Sequence, residues 1–235
     1  MSASTNKLDS TAVNVDESFT VQDKECQPEN TPPQGPKIVF ILGAPASGKG
    51  SISQCLLRDF DFDHISVGDY LRHLTKTTPA AHETMQPYLK SADLVPWRYL
   101  GPYLTDRIRS AARTYNRVLV DGFPRSVDQK YEFDRAIKDT PSLGKIELVI
   151  RFKCPKEELR RRYLARKRGD DNAELFEKRY SEFEQNIGEI LSSFDGSVHI
   201  IESDTSKAPK EAYEELRDKL SKQERWLQIV GLSSE

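Results

Sequence analysis

Apolar side chains gather in five short runs along this chain, at residues 37–42, 64–66, 117–121, 146–152 and 198–201, with apolar residues at helical spacing between them. Runs that are apolar almost throughout predict strands buried on both faces, and strands separated by helices predict parallel pairing. The pattern predicts an α/β fold of three layers, a five-stranded parallel sheet with helices on both faces. Two segments exceed simple crossovers. Residues 67–96 read as two or three short helices and residues 166–172 as a charged loop, and both are expected to be insertions over an active site. A closing helix is expected at 211–226, with the domain bounded at 37–222 and residues 223–235 left as a C-terminal tail.

Composition narrows the class. The 235 residues suffice for one ordinary core, and a formal net charge of −2 argues against a protein that grips nucleic acid by bulk electrostatics. Residues 1–36 carry two lysines, six acidic residues and four prolines, and read as a disordered acidic tail. Cys26, Cys55 and Cys154 lie far apart, and His64, His73, His82 and His199 are scattered, so neither a disulfide framework nor a zinc cluster is expected. No signal-peptide pattern or membrane-spanning run occurs, which makes the cytoplasm the expected compartment, with the nucleus as the alternative.

The chemistry begins where the first apolar run breaks into Gly43-Ala44-Pro45-Ala46-Ser47-Gly48-Lys49-Gly50-Ser51. A glycine-rich loop before a helix aims backbone N–H groups at one point, and a lysine adds full positive charge there, which is how triphosphates are cradled. The pattern G-x4-G-K-[ST] is off by one residue, because Gly50 follows Lys49 and the hydroxyl arrives at Ser51. Alanine at 44 and 46 requires the backbone there to keep negative φ. A second apolar run ends in Asp121-Gly122-Phe123-Pro124-Arg125, and a carboxylate at such a strand tip orients magnesium, often through water. Arg72, Arg125, Arg166, Arg168 and Arg179 supply the donor forks that phosphoryl transfer between anionic groups needs. Arg160, Arg161 and most of the basic run around them read as solvated helix surface, Arg162 included.

These segments, with Ser66-Val67-Gly68-Asp69-Tyr70-Leu71-Arg72, Leu94-Val95-Pro96 and Arg168-Gly169-Asp170-Asp171-Asn172, resemble the adenylate kinase family of nucleoside-monophosphate kinases in the same order over roughly residues 37–220. The resemblance accounts for the glycine after the loop lysine. It implies a P-loop NTPase fold with a helical insertion at about 66–96 and a short lid at about 166–172, which holds only Lys167 between Arg166 and Arg168. It implies that residues 43–51 hold the ATP phosphates, with Arg166 near the ATP base. The acceptor monophosphate would meet Val67, Arg72, Leu94, Val95, Gly122, Arg125 and Gln129, and Arg168 and Arg179 would act on the transferring group. Asp121 would order the waters of the magnesium carried by ATP, with no metal ligated directly by protein. The stretch Phe152-Lys153-Cys154-Pro155 and the pair Asp128-Gln129 look most like fungal-type uridylate/adenylate kinases, implying AMP and UMP or CMP as acceptors, and a monomer. An acceptor phosphate is already ionised at neutral pH, so no general base is required. The alternatives are a catalytically weak nucleotide-binding module of the same family and a P-loop kinase of a small hydroxyl metabolite, the latter disfavoured because no carboxylate beyond Asp121 stands out as a base.

Overall fold

The computed structural model describes residues 35–111, 115–166 and 171–232. Strands β1 (Lys37–Leu42), β2 (Asp63–Ser66), β3 (Arg117–Asp121), β4 (Lys145–Lys153) and β5 (His199–Asp204) form one parallel sheet in the order β2-β3-β1-β4-β5. Each coincides with a predicted run. β5 continues to Asp204 because its polar residues Ser203 and Asp204 pair with Phe152 and Lys153 of β4, and that backbone pairing leaves no apolar trace in the sequence.

β1 shows why both faces are covered. Ile38, Phe40 and Leu42 enter one core while Val39 and Ile41 enter the other, and all five are essentially inaccessible. On the β4 side the register slips between Ile38 and Val39, so that Glu147 has no partner on β1. The Val39 face is closed by α1 (Lys49–Asp59), α8 (Pro209–Ser221) and α9 (Glu224–Val230). The Phe40 face is closed by α2 (Val67–Thr77), α3 (Pro79–Ser91), α4 (Trp97–Ala111), α5 (Val127–Asp139) and α7 (Ala173–Ser192). A third, smaller cluster joins α6 (Lys156–Ala165) to α7 through Leu159, Tyr163 and Phe176.

Two boundary expectations are corrected. Residues 223–235 are not wholly a tail: α9 buries Trp226, Ile229 and Val230, and Trp226 sits edge-on to Phe60 at 5.1 Å and stacked with Phe62 at 5.6 Å. The closing helix therefore breaks before Glu224, and its continuation turns back onto the sheet. At the other end Pro36, counted with the tail, accepts a hydrogen bond from Lys145 N at 3.0 Å, and Gly35 lies so close to Gly144 that an added Cβ would stand 2.3 Å from its nitrogen. The remaining tail, residues 167–170 of the short lid and residues 233–235 lie outside the described residues.

The chain leaves β1 toward β3 and β2 on one side and toward β4 and β5 on the other, so the order reverses at β1. Ligands of open parallel sheets settle in the crevice beyond the strand ends at such a reversal. The insertion of α2 and α3 stands on one side of that crevice, and α6 with α7 on the other.

Candidate functional site

The crevice is a cleft of about 1040 Å³, as large as the biggest sites that ordinarily take one small ligand. Its floor is the turn from β1 into α1. Gly48 caps α1 at φ 86° with no side chain to offer as a cap, and no acidic residue occupies the helix's first turn. The positive end of the helix dipole therefore faces the cleft. Lys49 Nζ folds over the loop, donating to the carbonyls of Gly43 at 2.7 Å and Ala44 at 3.0 Å. Gly43 is required by crowding, since a Cβ there would stand 2.5 Å from Ser47 Oγ and 3.1 Å from Phe152 Cβ.

Of the two alanines, Ala44 keeps the expected negative φ and Ala46 does not. Ala46 takes φ 63°, so the loop does use left-handed backbone at an alanine, at a cost of about 1 kcal/mol. Ala44 stays out of the cleft: its side chain is buried against Leu159, Tyr163 and Phe176, which ties the loop to α6 and α7.

β3 delivers Asp121 beside this loop, because Asp121 pairs with Ile41 in the sheet and Gly122 N donates to Ile41 O at 3.3 Å. The buried Asp121 carboxylate accepts from His64 Nε2 at 2.8 Å and from Ser66 Oγ at 3.3 Å, two residues of β2. Among the described residues no cluster of three His, Cys, Asp or Glu side chains is arranged to ligate a metal. A single held carboxylate suits a cation carried in on phosphates with its own waters.

Next to Asp121 two arginines converge. A Cβ placed on Gly68 would lie 3.4 Å from Arg125 Nη2 and 3.5 Å from both Nη atoms of Arg72, so the two guanidinium groups flank one point at the start of α2. Arg72 is oriented by Asp69, and Arg125 by the carbonyl of Gly122, which accepts from its Nε at 3.0 Å. Arg125 stands deep in the cleft with its head open to cleft solvent. Its enclosure lowers its pKa from the ordinary value; Glu182 opposes this, while the charges of Arg179 and Arg72 reinforce it. Like charges brought this close call for an anion between them. Gln129, buried at the start of α5, donates from Nε2 to Val95 O at 3.0 Å and accepts at Oε1 from Arg125 N at 2.9 Å, which fixes its amide orientation and joins the insertion to the β3 loop.

The opposite wall holds a rivet around Asp171, whose side chain is 4% exposed. Arg166 donates to it twice, at 2.7 and 3.3 Å, and Arg179 Nη1 lies 3.5 Å from it while donating to Tyr163 Oη at 2.7 Å. The Arg166 guanidinium stacks 4.1 Å over the Tyr163 ring. Burial pushes the Asp171 carboxyl up, but bonds from Arg166 and Tyr163 and the charges of both arginines outweigh it and hold the pKa below the ordinary value. Burial and the bond to Asp171 raise the Tyr163 phenol in turn.

The expected residues 43 and 45–51, Val67, Arg72, Leu94, Val95, Asp121, Gly122, Arg125, Gln129, Arg166 and Arg179 thus line one cleft, and Ala44 alone among the described ones turns its side chain away. Arg168 lies outside the described residues. A family profile described as adenylate kinase matches residues 41–198. The chain belongs to the adenylate kinase family. It is 37% identical to "UMP-CMP kinase 2" of Oryza sativa subsp. japonica over 71% of this chain and 67% of that protein. It is 27% identical to "Uridylate kinase" of Saccharomyces cerevisiae over 82% and 94%, and 31% identical to "Adenylate kinase" of Campylobacter lari over 72% and 90%.

In this adenylate kinase family member three features of the site escaped the sequence reading. Arg162 is not idle surface: it donates to the carbonyls of Thr205 at 2.7 Å, Ser206 at 2.9 Å and Lys207 at 3.0 Å, pinning the β5–α8 loop to the cleft wall. His64 supports Asp121 from a neighbouring strand, a pairing visible only once β2 and β3 are adjacent. Glu182 brings a carboxylate to the cleft from α7, one helical turn beyond Arg179, and that i, i+3 spacing was the one available signal.

Proposed function

We propose that this protein transfers the γ-phosphoryl group of ATP reversibly to a nucleoside monophosphate, with AMP and the pyrimidine monophosphate UMP or CMP as acceptors. The observation that carries the reading is the convergence of Arg72 and Arg125 at Gly68, a second anion site in the same cleft as the Lys49 loop. The acceptor choice draws support from relatives that bear the names UMP-CMP kinase, uridylate kinase and adenylate kinase.

The loop at residues 43–51 and the start of α1 hold the ATP triphosphate, Lys49 exchanging its carbonyl partners for phosphate oxygens. Arg72 and Arg125 clamp the acceptor phosphate, with Val67, Leu94, Val95, Gly122 and Gln129 around its sugar and base. An ionised acceptor oxygen attacks the γ-phosphorus in line; the new P–O bond forms as the bond to the β–γ bridging oxygen breaks, and ADP leaves with that electron pair. Arg179, fixed by Asp171, faces the charge that develops on the transferring group and Arg168 belongs with it by its place in the sequence, while Arg166, held by the same carboxylate, stands near the ATP base. The family is generally magnesium-dependent, and Asp121 with the Ser51 hydroxyl are the groups that would stand behind a magnesium ion held by the phosphates, where it would neutralise their charge. A hydroxyl kinase would leave Arg72 and Arg125 facing one another with no anion between them. The domain runs from about residue 35 through α9, with its insertion at 66–96, and the enzyme works as a monomer in the cytoplasm; the two described cysteines, Cys55 and Cys154, are free thiols.

Purified protein with MgATP and a panel of AMP, UMP, CMP and GMP, assayed for diphosphate and for free phosphate, tests the reading. Diphosphate should form with AMP or a pyrimidine monophosphate, Lys49→Ala should abolish it, and Arg72→Ala should raise the acceptor KM at least tenfold, about the worth of one charge-assisted bond. Free phosphate without any diphosphate would overturn it.

A further inference from the structure

Glu182 has no task in the transfer described above. It lies partly buried on α7 and lines the cleft, and among the described residues no hydrogen bond or ion pair reaches its carboxylate. A carboxylate withdrawn from bulk water without donors is poorly satisfied, and burial together with Asp93 raises its pKa while Arg125 draws it back down. Other polar groups at this end of the cleft are committed. Gln129 spends both ends of its amide on Val95 and Arg125, and Asp93 is held by Lys178 Nζ at 2.6 Å, which also bonds Ser91 O at 2.6 Å.

Position says what Glu182 faces. Lys178, one turn before it on α7, bonds Asp93 and Ser91 O, which lays this stretch of α7 beside the loop that leads to Leu94 and Val95, and Glu182 lines the same cleft as Arg125. With the acceptor phosphate at Arg125 and its base against Val95 and Gln129, the sugar lies between, at the level of Glu182. Ribose presents adjacent hydroxyl donors there, and a carboxylate is the acceptor-only group that matches them. We infer that Glu182 accepts hydrogen bonds from the acceptor's ribose hydroxyls and makes the enzyme select ribonucleotides over 2′-deoxyribonucleotides. The inference rests on the nucleoside-monophosphate kinase reading and adds the residue that reads the sugar. Glu182 is a specificity residue in this account, since the reacting atoms lie at the arginines.

The test compares AMP with dAMP and CMP with dCMP at saturating MgATP, using the full chain and its Glu182→Gln and Glu182→Ala variants, with thermal midpoints measured alongside. The wild type should favour each ribonucleotide about tenfold or more in kcat/KM, mainly through KM, the discrimination expected when a bonding site meets an analogue lacking the hydroxyl. Glu182→Ala should bring the ratio to near one by lowering the ribonucleotide values while the deoxynucleotide values hold. Glu182→Gln, which keeps an acceptor oxygen, should retain part of the preference. A ratio unchanged in Glu182→Ala overturns the inference, as does an equal change for ribo and deoxy substrates, which would make Glu182 a modulator of the phosphate site. Loss of selection between AMP and CMP with the sugar ratio intact would make it a reader of the base and equally overturn it. A wild type that phosphorylates no monophosphate strikes the kinase reading instead, so the two failures are distinct.

Discussion

Asp171 offers the sharpest quantitative test of how this cleft is held. Replacing it by asparagine keeps the shape and removes the charge that Arg166 and Arg179 share. Breaking a buried ion pair by neutralising one partner typically costs about 3–5 kcal/mol. Here the carboxylate is 4% exposed, but Arg166 and Arg179 are 28% and 25% exposed and regain some solvation, so about 2–3 kcal/mol is expected. For a folded unit of this size each kcal/mol lowers the midpoint by about 2–4 °C, giving a drop of about 4–12 °C for Asp171→Asn at neutral pH. The sign of the pH dependence is also set. The folded-state pKa of Asp171 is depressed, so its contribution is fully present above the unfolded carboxylate value near 3.9 and fades as pH falls through the folded value. The midpoint gap between wild type and Asp171→Asn should therefore be flat from about pH 5.5 to 8 and close below about pH 4. Thermal unfolding followed by circular dichroism across that range measures it. A variant within 2 °C of wild type at pH 7, or a gap that widens on acidification, would refute the rivet.

Three further outcomes are expected. Gly43→Ala should lower the midpoint and abolish detectable ATP binding in a fluorescent-analogue titration, because its Cβ would overlap Ser47 Oγ at 2.5 Å, and overpacking of this kind costs about 1–3 kcal/mol. Gly50→Ala meets nothing within 4 Å and lies in α1, so it should leave stability unchanged or raise it by up to about 1 kcal/mol in urea unfolding. Trp226→Ala should cost about 3–5 kcal/mol by removing a fully buried ring packed on Phe60 and Phe62; a shift below 1 kcal/mol in the same assay would mean that α9 behaves as the expected tail after all.

What the amino-acid order determined by itself was whatever depends on local periodicity and on residue type at short spacing. The apolar runs of β1, β3 and β4 needed no tertiary information, because the central strands of a sheet covered on both faces are apolar along most of their length. The Lys49 loop, Asp121 and the arginines were legible because phosphate chemistry demands those groups at close intervals. The fold alone decided what depends on distant segments meeting. His64 reaches Asp121 because β2 pairs with β3, Arg162 finds three carbonyls some forty residues away, and Trp226 turns onto Phe60 and Phe62 to make a helix of an expected tail. Ala46 was misjudged because φ is set by the closure of the whole loop against α1, which no single residue type announces. Glu182 is the same lesson in the cleft: a lone glutamate on a helix says nothing until α7 is laid across the site and brings it to the cleft wall.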